Sequence, residues 1–476
     1  MFIGRKDELG VLKTHYEKER FEFIVVYGRR RVGKTSLLSN FTKKLPVIFF
    51  TAVENNAAIN LQNLSQAYHR FANPNSTASV FPVFSNLQAA FEAIFELAKT
   101  KRMCFVIDEY PYLAKADKSA SSVLQMLIDK NKSTSKLFLV ACGSSLSFMR
   151  EQVLSEKSPL YGRRTAQLEI KPFDFFEARK FFPNAQAEDV LYYYSMAGGI
   201  PLYLEQFSAK LALEPNIEQA FLHPSAFLFE EPTNLIKQEV QKAATYNAVI
   251  AAIASGKTTC NEIATTINSN TAETSYYLKE LQRIDVVLRE MPVCKGSRRA
   301  IYKLNDNLFL FWYKFILPSL SLIERNMPKP VLAHIKSHIS EHVSFVFEQV
   351  CKDWLWRKNA AGTVGFMFDS AGRWWSNNAQ TKKEEEIDIV CTNQKKVVAV
   401  AECKWKNELI GTNVAKKLID RANLIKPSKN AHYFIFAKTG FTKGCEEFAG
   451  KTSNFHLITF EGMTEGNLAF QNRNGH

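Results

Sequence analysis

At 476 residues, with 46% hydrophobic and 23% charged side chains, the chain is long enough for roughly three domains, which excludes a single small module. Its composition is that of a folded protein, not a low-complexity one. Lys and Arg outnumber Asp and Glu by 61 to 47, a net +14 that favours phosphate-bearing partners such as nucleotides or nucleic acid.

The most apolar run, Leu308 to Leu317, contains Lys314 and stops at Pro318, too short for a membrane span, and reads as buried core. Eight scattered cysteines form no CxxC pair, and the opening MFIGRKDELG lacks an apolar leader stretch. The expected setting is a reducing cytoplasm, with no structural zinc and no membrane.

In chain order, apolar runs at 21–27, 46–52, 103–108, 136–142 and 165–170 are separated by enough chain for crossover helices, which predicts a parallel α/β sheet. After the first of these runs comes GRRRVGKT, from Gly28 to Thr35, and then the helical pattern SLLSNFTKKL. Strand, Gly-rich loop and helix in that order form a phosphate cradle. Gly28 and Gly33 let backbone amides turn toward phosphate oxygens, Lys34 reaches the β- and γ-phosphates, and the Thr35 hydroxyl is a magnesium ligand. Arg29, Arg30, Arg31, Val32 and Ser36 complete the predicted nucleotide-binding stretch, with the three arginines either touching nucleotide or simply solvated.

The third run ends in Asp108-Glu109, so Asp108 is the expected second magnesium partner and Glu109 the residue that polarises the attacking water. One strand and two helical patterns lie between Lys34 and Asp108, the order of the additional-strand P-loop ATPases. Ser144, at the end of the fourth run, is either a polar sensor of the γ-phosphate or a turn serine. Arg163 and Arg164 precede the fifth run, from which an arginine can reach a γ-phosphate in cis or in a neighbouring subunit, or else form a surface ion pair.

FIGRKDEL, GRRRVGKT, VIDEYPYL, PLYGRR and GGIPLYL, as an ordered set over about residues 1–215, resemble the archaeal-type ATPases of the STAND class, relatives of AAA+ proteins. The resemblance implies a RecA/AAA+-like fold and ATP with Mg²⁺. It places Phe2 to Arg5, including Gly4 and Arg5, near the adenine, and Pro201 near the nucleotide in a closed state. It implies a switch more than a metabolic enzyme; a second copy of the chain on activation is a further candidate partner, with the oligomeric state left open by the sequence.

Residues 216–325 are expected to form a helical connector. From 244 onward, three short helical patterns and two strands around the basic loop CKGSRR predict a winged helix. Lys279, Arg283, Lys295, Arg298 and Arg299 are then its candidate phosphate contacts, the alternative being a rigid connector. NMPKP, 326–330, reads as a hinge into a last domain over 326–470. There a helix at 341–357, strands near 363–368, 386–391 and 396–402, a helix at 412–424 and strands at 431–437 and 455–460 predict a second α/β fold.

Asp388 and the Glu402-Cys403-Lys404 strand end can share one site, because residues 402 and 404 lie on one face. Two carboxylates can hold Mg²⁺ while a lysine positions water, with Glu348 as a third acid; a strand-end ion pair gives the same letters. The pattern and element order resemble the restriction-endonuclease-like PD-(D/E)xK superfamily, with Ile387 where that motif has proline. Lys416, Lys417 and Arg421 on the next helix would face a nucleic-acid backbone or solvent. Arg373-Trp374-Trp375 would stack on bases or fill the core.

Overall fold

The computed structural model describes residues 2–297, 299–378 and 382–465 and forms two compact units. The first runs to Pro172 and includes Ile200–Leu202; the second comprises Phe173–Gly199 and continues from Tyr203.

The first unit is built on a parallel five-stranded sheet of order β2-β3-β4-β1-β5. Its strands are β1 (Glu22–Tyr27), β2 (Val47–Thr51), β3 (Met103–Asp108), β4 (Leu137–Gly143) and β5 (Ala166–Glu169). The central strands β1, β3 and β4 are buried along their whole length, as continuous Val/Ile/Phe runs between two helical layers require. β4 lies between β1 and β3, so the loops after all three strands meet at one edge.

In the second unit, helices Ala243–Ala254, Cys260–Thr266 and Thr271–Arg283 precede an antiparallel ribbon of β6 (Val287–Glu290) and β7 (Ile301–Leu304). The Leu308–Leu317 run is helical and buried, with Trp312 donating its indole N–H to the Phe229 carbonyl at 2.7 Å. Residues 326–330 are no hinge segment. Pro328 opens a 33-residue helix, Pro328–Ala360, and both prolines sit in its first turn, where a missing N–H costs nothing.

The chain then forms a second five-stranded sheet, of order β12-β11-β10-β9-β8. Its strands are β8 (Ser370–Asn377), β9 (Glu384–Asn393), β10 (Lys396–Lys404), β11 (His432–Ala437) and β12 (Phe455–Thr459). The strand expected near 363–368 is instead β8, because Thr363 to Phe368 serve as a turn in which Asn359 Oδ1 accepts from the Phe368 amide. β9 and β10 form the expected hairpin, closed by Gln394 and Lys395 with φ of 49° and 68°. Two consecutive positive φ values make a type I′ turn.

His342, fully buried on the long helix, donates from Nε2 to the Ser195 carbonyl at 2.8 Å, while its Nδ1 has no partner among the described residues. Burial pushes its pKa down to about 4, against an ordinary 6.5. The fold therefore holds the ring neutral, and this stability is lost as pH falls through 6.5 toward 4. Urea unfolding followed at the second unit should show about 2 kcal/mol less stability at pH 5 than at pH 7. A His342→Gln variant should lose most of that pH dependence; an equal pH dependence would refute the assignment.

Candidate functional sites

The loop after β1 is shaped by close approach and by handedness. A Cβ on Gly28 would stand 2.2 Å from the Ile170 carbonyl oxygen, so only glycine lets this loop leave the sheet beside β5. Gly33, at φ 90°, caps the helix Lys34–Thr42 and turns its amide end toward the loop. Lys34 is buried, its Nζ donating to the Gly28 and Arg29 carbonyls at 2.9 Å each, and burial lowers its pKa. Its ammonium thus lies inside the loop.

The Thr35 hydroxyl donates to Asp108 Oδ2 at 2.8 Å, across the width of β4. Two hard oxygen donors so close fit a Mg²⁺ ion that keeps most of its water. Glu109, at φ 53°, turns its carboxylate toward β4, where Oε2 accepts from the Ser144 hydroxyl at 2.8 Å and the Ser144 amide at 3.3 Å. Val32 is buried, whereas Ser36 is exposed at the start of the helix.

Arg30 donates to the Tyr112 hydroxyl at 3.1 Å, and Arg31 occupies a left-handed position at φ 67°. A Cβ on Gly33 would meet Pro201 Cγ at 3.8 Å, which puts Pro201 beside the loop. Gly4 has φ 68°, and its neighbour, the buried Arg5, donates to the Val32 carbonyl at 3.0 Å and the Lys171 carbonyl at 2.7 Å. Arg5 therefore ties the loop to the segment after β5. An open groove of about 1030 Å³ runs along edge strand β2, and its lining contains no residue of the phosphate loop.

Arg163 and Arg164 are not at this edge. The Thr165 amide donates to the Phe23 carbonyl, so both arginines lie where β1 begins, about 17 Å of strand away from Gly28. Arg163 forms a two-pronged ion pair with Asp129, and Arg164 donates to the Leu154 carbonyl. That placement corrects the cis reading, because an arginine side chain does not span the sheet.

In the second unit, β9–β10 register ends with Ala401 opposite Ile389, so the next step sets Glu402 opposite Asp388. Facing like charges demand cations. Lys404 Nζ lies 2.6 Å from Glu402 Oε1 and 3.9 Å from Asp388 Oδ2, and Asp388 Oδ2 accepts from the Cys403 amide at 2.7 Å. Burial and the Glu402 charge push Asp388 up to about 8. Burial pulls the Lys404 ammonium down, but the two carboxylates outweigh it and hold its pKa above the usual lysine value.

Arg421, expected on a nucleic-acid face, instead turns inward. Its Nη1 is 3.3 Å from both Glu402 oxygens and its Nε donates to Glu385 at 2.9 Å, because the helix Thr412–Asn423 lays that side on β9 and β10. Lys416 and Lys417 are exposed on the same helix. Glu348 faces Arg373 at 3.9 Å, and Arg373 also pairs with Glu386. Among the described residues no group of three or more His, Cys, Asp or Glu side chains could hold a metal ion, so the third-acid role of Glu348 is corrected. Glu385, Glu386 and the inward role of Arg421 carried no sequence signal, since the contacts join separate elements.

Trp374 and Trp375 are buried, so neither presents a face for base stacking. The basic loop in the expected wing position is clamped to β8: Val293 and Ser297 amides donate to the Arg373 and Trp375 carbonyls, and Trp374 Nε1 donates to the Lys295 carbonyl at 2.8 Å. A Cβ on Gly296 would stand 2.7 Å from Trp374 Nε1, so glycine permits the contact. On the third helix of the three-helix group Lys279 is exposed beside the exposed Tyr276, while Arg283 pairs with Glu280 at 2.7 Å. Arg299 is exposed, and Arg298 lies outside the described residues.

A family model described as an ATPase domain predominantly from Archaea matches residues 2–207. A second, for archaeal and bacterial proteins of unknown function, matches residues 312–418. An uncharacterized protein of Methanocaldococcus jannaschii is 34% identical over 410 residues, covering 86% of this chain and 88% of that relative. An uncharacterized ATP-binding protein of the same organism is 46% identical over 41 residues, 9% of this chain and 70% of that one. Among solved structures, a Walker-type ATPase of Pyrococcus abyssi has the same fold over 66% of this chain and 96% of its own, at 18% identity and a TM-score of 0.50. No helix among the described residues is long and apolar enough to cross a membrane.

Proposed function

The chain belongs to the archaeal-type ATPase family, and from that premise we propose that it is an ATP-binding and ATP-hydrolysing switch coupled to a nucleic-acid-directed, nuclease-like effector. The reading divides it into an ATPase domain with a helical lid at 1–215, a winged-helix connector at 216–325 and a PD-(D/E)xK-like domain at 326–470. The observation that carries the switch is the meeting of Lys34, Thr35, Asp108 and Glu109 at one edge of the sheet. Backbone amides of 29–35 would cradle the phosphates, and Thr35 with Asp108 would hold the Mg²⁺ that screens their charge. Glu109 would orient the attacking water once a γ-phosphate draws the Ser144 hydroxyl away from it.

The Asp388, Glu402 and Lys404 cluster supports the effector reading, since two carboxylates and a lysine on adjacent strands are the equipment for metal-assisted phosphodiester hydrolysis. One observation favours a second reading, a regulator or scaffold whose C-terminal domain binds without cutting. Both Glu402 oxygens are already balanced by Lys404 and Arg421, so a divalent ion has to displace a cation to reach them. Exposed Lys279 and Arg299 support duplex contact from the connector in either reading.

Incubation of plasmid, single-stranded DNA and RNA with the full chain, Mg²⁺ or Mn²⁺ and ATP separates the two. The nuclease reading expects cleavage that Lys404→Ala reduces at least about 100-fold. Absence of cleavage, with nucleotide binding intact, would sink that reading and leave the binding-only one.

A further inference from the structure

Beyond the cleavage and switching readings, and independent of both, a lysine-lined cleft lies where the basic loop meets the C-terminal sheet. Where residues 294–296 are clamped to β8, a cleft of about 660 Å³ opens against the start of β10 and the segment after the helix Thr412–Asn423. Among the described residues four lysines line it, Lys295, Lys395, Lys396 and Lys426, and no carboxylate does. All four are exposed, and none has an ion-pair partner among the described residues.

Four uncompensated ammonium groups around one concavity repel each other and are stabilised by a polyanion. Two of them come at a conformational cost. Lys395 and Lys426 hold φ of 68° and 50°, left-handed positions that glycine or asparagine occupies with less strain. Lys395 stands at the second position of the type I′ turn between β9 and β10, where glycine is the common residue. Neither lysine is there for backbone fit, so a role for its charge is a hypothesis that a binding measurement tests.

The remaining lining is mixed. Leu424 and Ile425 offer apolar surface, and Asn377 and Ser428 offer hydrogen-bonding groups. An apolar wall with a few polar groups beneath a cationic rim suits a base and its phosphates. The cleft lies at the beginning of β10, whereas Glu402 lies six residues further along, about 20 Å of strand away. Its ligand is therefore not the phosphate that Asp388 and Glu402 would act on.

We propose that this cleft binds a phosphate-bearing nucleotide group, either a free nucleotide or the end of a nucleic-acid strand, as a site separate from both the phosphate loop and the Asp388 cluster. The full chain carrying Lys34→Ala, which removes the phosphate-loop contribution, is titrated with ATP, with a 5′-phosphorylated single-stranded oligonucleotide and with a short duplex. Each titration is repeated with Lys395→Gly, Lys396→Gln and Lys426→Asn added together. At least one probe should bind saturably, weaken with salt and lose at least about tenfold in affinity in the added variant.

Binding of ATP alone identifies a free nucleotide as the ligand, and binding of the oligonucleotides alone identifies a strand end. The lysine replacements suit their backbone positions, so the thermal midpoint should hold or rise while binding falls; Lys395→Gly alone should raise it. A charge-preserving Lys396→Arg variant should retain binding. No saturable binding of any probe to the Lys34→Ala chain, or equal affinity with and without the three added replacements, overturns the proposal.

Discussion

Lys34→Ala is expected to abolish nucleotide-dependent behaviour, with ATP hydrolysis falling about 100-fold or more and nucleotide affinity falling with it. The ammonium is already inside the loop, held by the Gly28 and Arg29 carbonyls, so a phosphate enters a place prepared for a cation partner. Glu109→Gln should behave differently. Its carboxylate accepts from Ser144 and from no phosphate-loop donor among the described residues, so binding should persist while hydrolysis drops by a comparable factor. Stopped hydrolysis with retained affinity in Glu109→Gln, against loss of both in Lys34→Ala, separates the water-orienting role from the phosphate-holding one. Radiolabelled phosphate release and equilibrium dialysis read the two quantities. Equal loss of binding in both variants would overturn the assignment of Glu109.

The second large effect is on folding. Gly199→Ala is expected to destabilise the second unit by at least about 3 kcal/mol, enough to leave a poorly soluble or unfolded product. Here the Phe173 amide donates to the Gly199 carbonyl at 2.8 Å, and a Cβ would stand 1.7 Å from the Phe173 carbonyl oxygen. Two backbones meet with no space for a methyl group, and backbone cannot yield as a side chain tip does. Gly10→Ala is the matched control. Gly10 lies within the helix Lys6–Tyr16 with open space around its Cα, so alanine should raise stability by about 0.5–1 kcal/mol. Thermal melts of both variants test the contrast, and a Gly199→Ala melt at the parent midpoint would refute the steric argument.

Legibility in the sequence tracked locality. The phosphate loop could be read because its ligands are contiguous, and because β1 and the helix Lys34–Thr42 flank it without interruption. The five strands of the first sheet were legible within a residue or so at each end, since buried parallel strands are nearly unbroken apolar runs. Pairing of Asp388 with Glu402 was legible for a similar reason, one hairpin with a two-residue turn. The start of the helix Pro328–Ala360 was misread because proline marks both a break and a first helical turn, and only the packing of the residues beyond it decides between them.

By itself the sequence determined the nucleotide chemistry of this protein, the parallel sheet that carries it and the two acidic strand ends, all of them written in runs of neighbouring residues. Tertiary structure alone decided which charges are spent. It set Arg421 on Glu402 and Glu385, turned Glu348 to Arg373, moved Arg163 and Arg164 to the far edge of the sheet, and clamped the basic loop onto Trp374. The reason is physical: a charged side chain looks the same in sequence whether it faces solvent or a carboxylate, and its partner, 19 residues away for Arg421 and Glu402, is chosen only when helix packs on sheet.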